Sequence, residues 1–540
     1  MDAGGKSLAG RRFDVRQPDR EFRRKHGAPR ALKIGMQSTP TVRGFKRRRR
    51  PTRRMRFSVL ILFGVVLALS VVALGAESAL IAAVRSGDLA ALRRLVQQGA
   101  KVNDRGPDGS TALHWAAELD DAEAARVLLD AGADAKAANR YGVTPLQLAA
   151  VNGNADLMRT LLDAGADPNA VLPEGESVLM TAARTGSTAA IALLLDRGAN
   201  IDARERWHGE SALMWAAAQN HGEAVRLLIE RGADVDSRSA LHSFPQRRAG
   251  QSLLPLGNWT PLMYAARENA LDAGRALVQA GAGLDLTDPD GATALVIAIL
   301  NAHYEFAAFL LEAGADPNVV DKEAGMGPLY AAVDMHRLAV GHGRPNPKPV
   351  GLMTAVELAK LLLDRGADPN ARLRKAIFQR QHTAGDSSLG EGATPFLRAA
   401  KSGDIEMMRV LAAGGADPKL AMPNGANALM YAAGLGWRNG SPAAPSYDQG
   451  SEEEAVDAIR FLLGLGFDVN GTNDAGDTPL HAAVSGRASE AIIAFLVAQG
   501  ADPEKKNKRG QTPLSVAASR GNEPIMQLLR NAAQSRVTSP

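Results

Sequence analysis

The stretch GVTPLQLAAVNGNADLMRTLLDAGADPNA occupies residues 142–170 and contains the signals for two short helices. Thr144 can cap a helix through its hydroxyl group, and Pro145 then occupies the first helical position, where its missing N–H has no cost. Leucines at helical spacing follow in the second segment, which Gly165 can end in a left-handed turn. The stretch therefore predicts a helix–turn–helix unit, after which the segment DPNA turns outward as a finger.

Similar stretches recur with a period of 33 residues, for example GSTALHWAAELDDAEAARVLLDAGADAKA from Gly109 and GESALMWAAAQNHGEAVRLLIERGADVDS from Gly209. One unit exposes apolar surface on both sides, so its stability must come from stacking on its neighbours. We count twelve units between residues 77 and 534, with the first (77–104) and the last (510–534) at the ends. The leucine near the start of each unit recurs at Leu113, Leu146, Leu179, Leu213, Leu262, Leu295, Leu329, Leu429, Leu480 and Leu514, and Phe396 replaces it once.

These units resemble the ankyrin repeat, whose opening Thr-Pro-Leu-His pattern is matched by TPLHAA at residues 478–483 and nearly matched by TPLQLAA at 144–150 and TPLSVAA at 512–518. The resemblance covers almost all of residues 77–534. It implies an all-α ankyrin-repeat solenoid with hairpin fingers and a concave face that binds other proteins. It also implies that His114 and His481 occupy the family's hydrogen-bonding histidine position and are structural.

Four inserts interrupt the period, at residues 239–257, 339–353, 373–391 and 437–451. The first and third follow the Asp or Asn of a finger, so we expect them to lengthen fingers. The second and fourth separate the two helices of one unit and should project from the opposite edge. Enlarged loops of this kind are where repeat proteins usually place recognition, although a disordered, tolerated loop is the alternative.

Basic and aromatic residues concentrate at the fingers of the first and third inserts, on a body that is otherwise acidic. Long basic side chains beside apolar anchors are typical of protein interfaces, and tryptophan flanked by arginine is favoured at binding hot spots. The alternative for Trp207 and Trp259 is that each ring covers the base of its finger. The predicted partner-binding residues are Arg204, Arg206, Trp207, His208, Arg238, Phe244, Arg247, Arg248, Trp259, Arg374 and Phe378.

Charge divides the 540 residues into two regions of opposite sign. Residues 1–56 hold 19 Lys and Arg against 4 Asp and Glu, whereas the remainder holds 44 basic and 54 acidic residues. The run KRRRR at residues 46–50 could contact nucleic acid or anionic lipid, but we expect residues 1–54 to be a basic, disordered head. We favour the interpretation in which translation starts at Met55, so that residues 1–54 would not be translated.

Residues 57–76 form an uncharged apolar run, long enough to cross a hydrocarbon core of about 30 Å as one hydrophobic helix. Its basic flank and the small residues near its end also suit a signal peptide over residues 55–76. Both interpretations predict that the repeats are exported, because the arginine cluster should stay in the cytoplasm. We expect a cell-envelope protein, either anchored in the inner membrane or periplasmic or secreted after cleavage, like exported bacterial ankyrin-repeat proteins.

The chain lacks the motifs of catalysis and cofactor binding. The absence of cysteine excludes disulfides, thiolate catalysis and cysteine-ligated zinc. Asp334, His336 and His342 lie close in sequence, but no HExxH motif supports a metal site, and no nucleotide-binding or nucleophile motif occurs.

The composition and the repeats together predict a function without catalysis. We expect a monomeric, non-catalytic scaffold or adaptor that uses no cofactor and binds a protein partner rather than nucleic acid. The alternative is an inhibitor or immunity-type protein that blocks an envelope enzyme. The partner itself cannot be named from the sequence, because one fold carries many unrelated binding surfaces.

Overall fold

The repeated helix signals produce a regular series of helix pairs. The computed structural model describes residues 78–242, 256–337, 348–377, 389–437 and 450–538, and these residues contain 24 helices and no extended strand. The helices form twelve consecutive pairs, which agrees with the number of units that the sequence predicts. The expected all-α repeat class is therefore confirmed.

The first helices of the pairs are α1 (Ala79–Arg85), α3 (Ala112–Glu118), α5 (Pro145–Asn152), α7 (Val178–Thr185), α9 (Ala212–Ala218), α11 (Pro261–Glu268), α13 (Ala294–Leu300), α15 (Pro328–His336), α17 (Pro395–Lys401), α19 (Ala428–Ala433), α21 (Pro479–Ser485) and α23 (Pro513–Ser519). The second helices are α2 (Leu89–Gln97), α4 (Ala122–Asp130), α6 (Ala155–Asp163), α8 (Thr188–Asp196), α10 (Gly222–Glu230), α12 (Leu271–Gln279), α14 (Tyr304–Glu312), α16 (Ala355–Asp364), α18 (Ile405–Ala413), α20 (Glu452–Gly464), α22 (Glu490–Ala498) and α24 (Glu523–Thr538).

Side-chain caps begin most of the first helices. In α5, the Thr144 hydroxyl accepts the backbone N–H of Gln147 at 3.3 Å, and the Gln147 amide oxygen accepts the N–H of Thr144 at 3.3 Å. This reciprocal cap satisfies two donors that the first turn of a helix leaves unpaired. The second helices end differently: Gly165, just after α6, has a φ of 92°, a left-handed conformation that costs glycine little.

Each helix packs on its counterparts in the neighbouring pairs. Helix α9 packs against α7 and α11, and α10 packs against α8 and α12. The first helices are short and rich in alanine, so their backbones approach closely, and Leu213 of α9 and Leu262 of α11 are buried between them. The apolar core is therefore continuous from pair to pair.

Asparagine side chains join the segment after one second helix to the segment after the next, by hydrogen bonds to main-chain groups. The Asn169 amide donates to the carbonyl of Gly198 at 3.0 Å, and its oxygen accepts the N–H of Asn200 at 2.8 Å. Asn318 and Asn370 make the same pair of hydrogen bonds to the following unit. The Asn of the DPNA segment thus connects adjacent units in addition to starting the finger.

Histidine and glutamine perform the same structural role in adjacent units. Nδ1 of His114 accepts the N–H of Thr111 at 3.1 Å, and its Nε2 hydrogen-bonds to the Val143 carbonyl at 3.0 Å. Gln147 occupies the equivalent position one unit later and reaches the Glu176 carbonyl. Burial lowers the pKa of His114 below its ordinary 6.5, against an opposing contribution from the Val143 carbonyl, so the folded protein favours the neutral ring.

The predictions for the two ends of the chain have different outcomes. The predicted apolar helix at residues 57–76, with the head that precedes it, lies outside the described residues. In the part of the chain that the structure describes, no helix is long and apolar enough to cross a membrane. At the other end, α24 continues to Thr538, beyond the predicted end of the array at residue 534.

Leu213→Ala should reduce the free energy of unfolding by about 2–5 kcal/mol, because the lost side chain leaves a cavity between first helices. Urea unfolding followed by circular dichroism measures the change. Leu352→Ala is the matched control, since Leu352 is 97% exposed and its truncation should change stability by less than about 0.5 kcal/mol. Equal effects of the two substitutions would contradict the stacked core.

His114→Gln should weaken the dependence of stability on pH. A histidine whose pKa is lowered on folding stabilises the fold above its unfolded pKa of 6.5, and this stabilisation is lost as the pH falls through the folded pKa. Glutamine can make the same two hydrogen bonds without titrating. Urea unfolding above and below pH 6.5 tests this, and the reverse variant Gln147→His should gain the acid sensitivity. An identical acid-induced loss in the parent and His114→Gln proteins argues against it.

Candidate functional site

The loops between successive pairs form the fingers, and several fingers are shaped by one of their own polar side chains. The Asn139 side-chain oxygen accepts the backbone N–H of Tyr141 at 2.9 Å and that of Val143 at 3.0 Å. In the finger that contains Trp207, the Glu205 carboxylate takes this role and accepts the N–H groups of Trp207, His208 and Glu210 at 2.6–3.0 Å. Glu205 is buried, so its hydrogen bonds hold the finger from within.

Main-chain hydrogen bonds join several of the fingers to the next one. The N–H of Arg206 donates to the Glu174 carbonyl at 2.8 Å, and the N–H of Ala240 donates to the His208 carbonyl at 2.6 Å. At this second junction Gly209 has a φ of 62°, and a Cβ atom there would lie 2.8 Å from Ala240. The fingers that are joined in this way form a row whose members are fixed relative to one another.

Arg204 and Arg238, both predicted to bind a partner, hydrogen-bond to the fingers themselves. Nη1 of Arg204 donates to the carbonyls of Gly209 and Arg238, at 3.1 and 2.6 Å. Nη1 of Arg238 donates to those of Asn258 and Thr287, at 2.9 and 2.8 Å. Both guanidinium groups thus hold neighbouring fingers together, which is a structural role.

Arg206 and Arg374 occupy a second position in the row of fingers. Each donates its main-chain N–H to the preceding finger, and the aliphatic part of each side chain lies over a glycine of that finger, Gly175 or Gly325. Nη1 of Arg206 also donates to the Pro173 carbonyl at 2.9 Å, on an exposed part of the finger. These arginines combine a structural main chain with a side chain at the surface.

The two tryptophans predicted at the fingers have opposite environments. Trp259 is only 6% exposed, and its ring meets Tyr264 edge to face with centroids 5.5 Å apart. The guanidinium of Arg267 lies 5.4 Å from the Trp259 ring. This burial favours the alternative in which Trp259 covers the base of its finger. Trp207, in contrast, is 70% exposed.

Exposed apolar side chains lie on four consecutive fingers. Tyr141, Val171, Trp207 and Leu241 are 68%, 48%, 70% and 64% exposed, and we call this group the fingertip surface. Sequence reasoning identified only Trp207 in this group. The signal for Tyr141 was present, because it precedes the fingertip glycine at a position that holds Asp or Asn in other fingers, as at residues 108, 290 and 424.

The first helices of the same units add aromatic and basic side chains. The guanidinium of Arg85 lies 4.7 Å from the centre of the half-buried Trp115 ring, and that of Arg184 lies 5.4 Å from Trp215. Such contacts stabilise both partners by cation–π attraction. Leu119, just after the C-terminal end of α3, is also half exposed.

Four predicted partner-binding residues lie outside the described residues, as does His342 of the rejected metal site; the four are Phe244, Arg247, Arg248 and Phe378. Nδ1 of His336 is 2.6 Å from a carboxylate oxygen of the buried Asp404, and Arg398 pairs with Asp334 at 2.6 Å, so this segment contributes to packing between units. Among the described residues, no group of three or more His, Cys, Asp or Glu side chains is placed to hold a metal ion.

The geometry defines a helical-repeat protein whose loops form a row of fingers. The family described as ankyrin repeats (3 copies) matches residues 80–171, 165–239, 245–321 and 450–539, more than half of the chain, and the chain therefore belongs to the ankyrin-repeat family. The crystal structure of the human ASB11 ankyrin repeat domain is also similar, with 28% sequence identity, a TM-score of 0.38, and coverage of 45% of this chain and 100% of that chain. Ankyrin repeats are generally protein-interaction scaffolds and are typically non-catalytic.

Proposed function

We propose that this protein is a non-catalytic scaffold that binds a protein partner through the fingertip surface and the adjoining face of the first helices. The observation that carries the proposal is the succession of exposed apolar side chains on four consecutive fingers, the last three of which are joined by main-chain hydrogen bonds. Single exposed apolar residues are ordinary on a protein surface, but a group of them on fixed positions supports a binding site. Trp207 and Tyr141 are of the residue types that dominate binding hot spots.

The mechanism of binding follows from the rigidity of the fingers. Because Glu205, Asn139 and the main-chain hydrogen bonds already fix the loops, a partner orders few additional backbone groups when it binds. Less conformational entropy is lost, so more of the apolar contact energy appears as affinity. Arg206 and His208 border Trp207 and supply polar contacts at the edge of the apolar patch.

The combined variant Tyr141→Ala, Trp207→Ala and Leu241→Ala should lose the partner. Residues 77–540 serve as bait, and a captured protein is then purified and its affinity measured for each variant. Loss of even one hot-spot side chain costs about 2 kcal/mol, so the combined variant should bind at least about 30-fold more weakly than the parent. The matched control is Leu352→Ala, which removes a leucine that is even more exposed than Leu241 but lies far from the fingertip surface in sequence, and it should bind as the parent does.

Equal affinity of the triple variant and the control would show that the fingertip surface is not the binding site. The purified partner also distinguishes the scaffold from the alternative function. If the partner is an enzyme whose activity falls on binding, the protein acts as an inhibitor or immunity-type protein. If the activity is unchanged, the scaffold function is supported.

We also propose that the repeats act outside the cytoplasm. The support is the uncharged run at residues 57–76 with its arginine-rich flank, which favours retention of the basic end and export of the following chain. The protein would be anchored in the inner membrane through this run, or released into the periplasm or medium after cleavage. The acidic character of the repeats is compatible with either state.

Alkaline phosphatase fused after residue 540 should be active in a bacterial host, because this enzyme needs disulfides that form outside the cytoplasm. The double variant Val65→Arg and Leu67→Arg should abolish that activity, since charges at the centre of an apolar run oppose insertion. Leu67→Ile is the matched control and should remain active. An inactive parent fusion that is present at normal amounts would contradict export, and fractionation of the active fusion distinguishes anchoring from release.

A further inference from the structure

Two histidines on neighbouring fingers face each other beside Trp207. Nδ1 of His208 lies 3.3 Å from Nε2 of His242, although the two residues are 34 positions apart in the sequence. The imidazole rings are nearly perpendicular, with an interplanar angle of 82° and centroids 5.3 Å apart. His208 is exposed and His242 is half-buried, so solvent reaches the pair.

The backbone fixes both histidines at this distance. The Glu205 carboxylate accepts the N–H of His208 at 2.6 Å, and the His208 carbonyl accepts the N–H of Ala240 at 2.6 Å. The N–H of His242 donates to the Leu256 carbonyl at 2.7 Å. The hydrogen bonds at the junction between the two fingers therefore hold the two imidazoles close together.

We propose that His208 and His242 form a two-histidine site for a divalent transition-metal ion of the zinc class. Histidine nitrogens bind tetrahedral Zn²⁺ at about 2.0–2.1 Å, which places two such nitrogens about 3.3 Å apart. The observed separation therefore equals the edge of a zinc tetrahedron. A rotation of the rings would direct both nitrogen lone pairs to one ion, which would lie between the two nitrogens.

The surroundings determine the class of ion and the openness of the site. Imidazole ligands suit zinc, cobalt, nickel and copper, whereas magnesium and calcium prefer oxygen. Both oxygens of the nearby Glu205 carboxylate already accept backbone N–H groups, and no third protein ligand completes the group within the described ranges. At least two coordination positions are left for water or for a side chain of another molecule.

The site goes beyond the proposed scaffold function and can be tested without a partner. Full-length protein, freed of metal by a chelator, is titrated with Zn²⁺ and separately with Co²⁺ near neutral pH. The expected result is saturable binding of one ion that both His208→Gln and His242→Gln weaken by about tenfold or more, since even the loss of an outer-shell partner costs about 10–100-fold. Bound Co²⁺ should show the strong visible absorption of a tetrahedral ion.

Trp207→Ala is the matched control, because it removes the adjacent exposed side chain and leaves both imidazoles in place. It should bind metal as the parent does, whereas Mg²⁺ should not compete for the site. The proposal is overturned if the parent shows no saturable uptake at millimolar Zn²⁺, or if both glutamine variants bind as tightly as the parent. Because the titration contains no partner, its failure leaves the fingertip experiment unaffected, and the converse also holds.

Discussion

The packing of each first helix between the first helices of the neighbouring pairs is the constraint on which the rest of the structure depends. Helix α9 is only seven residues long, which is too short to be stable alone. Without α7 and α11 its Leu213 side chain would be exposed to solvent. Every pair is therefore stable only as part of the series. This packing also sets the spacing of the fingers, because each finger connects two stacked pairs.

The hydrogen bonds of the fingers add a second level of order to this stack. Side chains such as Asn139 and Glu205 shape the individual fingers, and main-chain bonds such as that from Arg206 to Glu174 connect them. Because polar groups at the base of a finger hold its conformation, the side chains at the tip are not needed to stabilise the loop. This division explains why Trp207 and Tyr141 can be exposed without loss of order in their loops.

The fold could be predicted from the sequence because its signals are local and repeated. Thr144 and Pro145 start a helix through contacts within four residues, and the same pattern recurs in most units. The site was harder to predict because exposure depends on neighbouring units. Trp207 and Trp259 both lie close to a finger in the sequence, so local sequence does not distinguish them. The contacts of Trp259 with Tyr264 and Arg267 show that it is buried. The pairing of His208 with His242 depends on how two fingers meet, which no local pattern encodes.

His114 and Gln147 occupy the same position in successive units and each bonds to a carbonyl of the following unit. Two side chains of different chemistry make the same connection to the next unit, so the units are interchangeable in structure but not in their response to acid. The contact at His114 weakens as protons bind, whereas the contact at Gln147 does not respond to acid. Acid can therefore weaken one contact between units while the next contact keeps its strength.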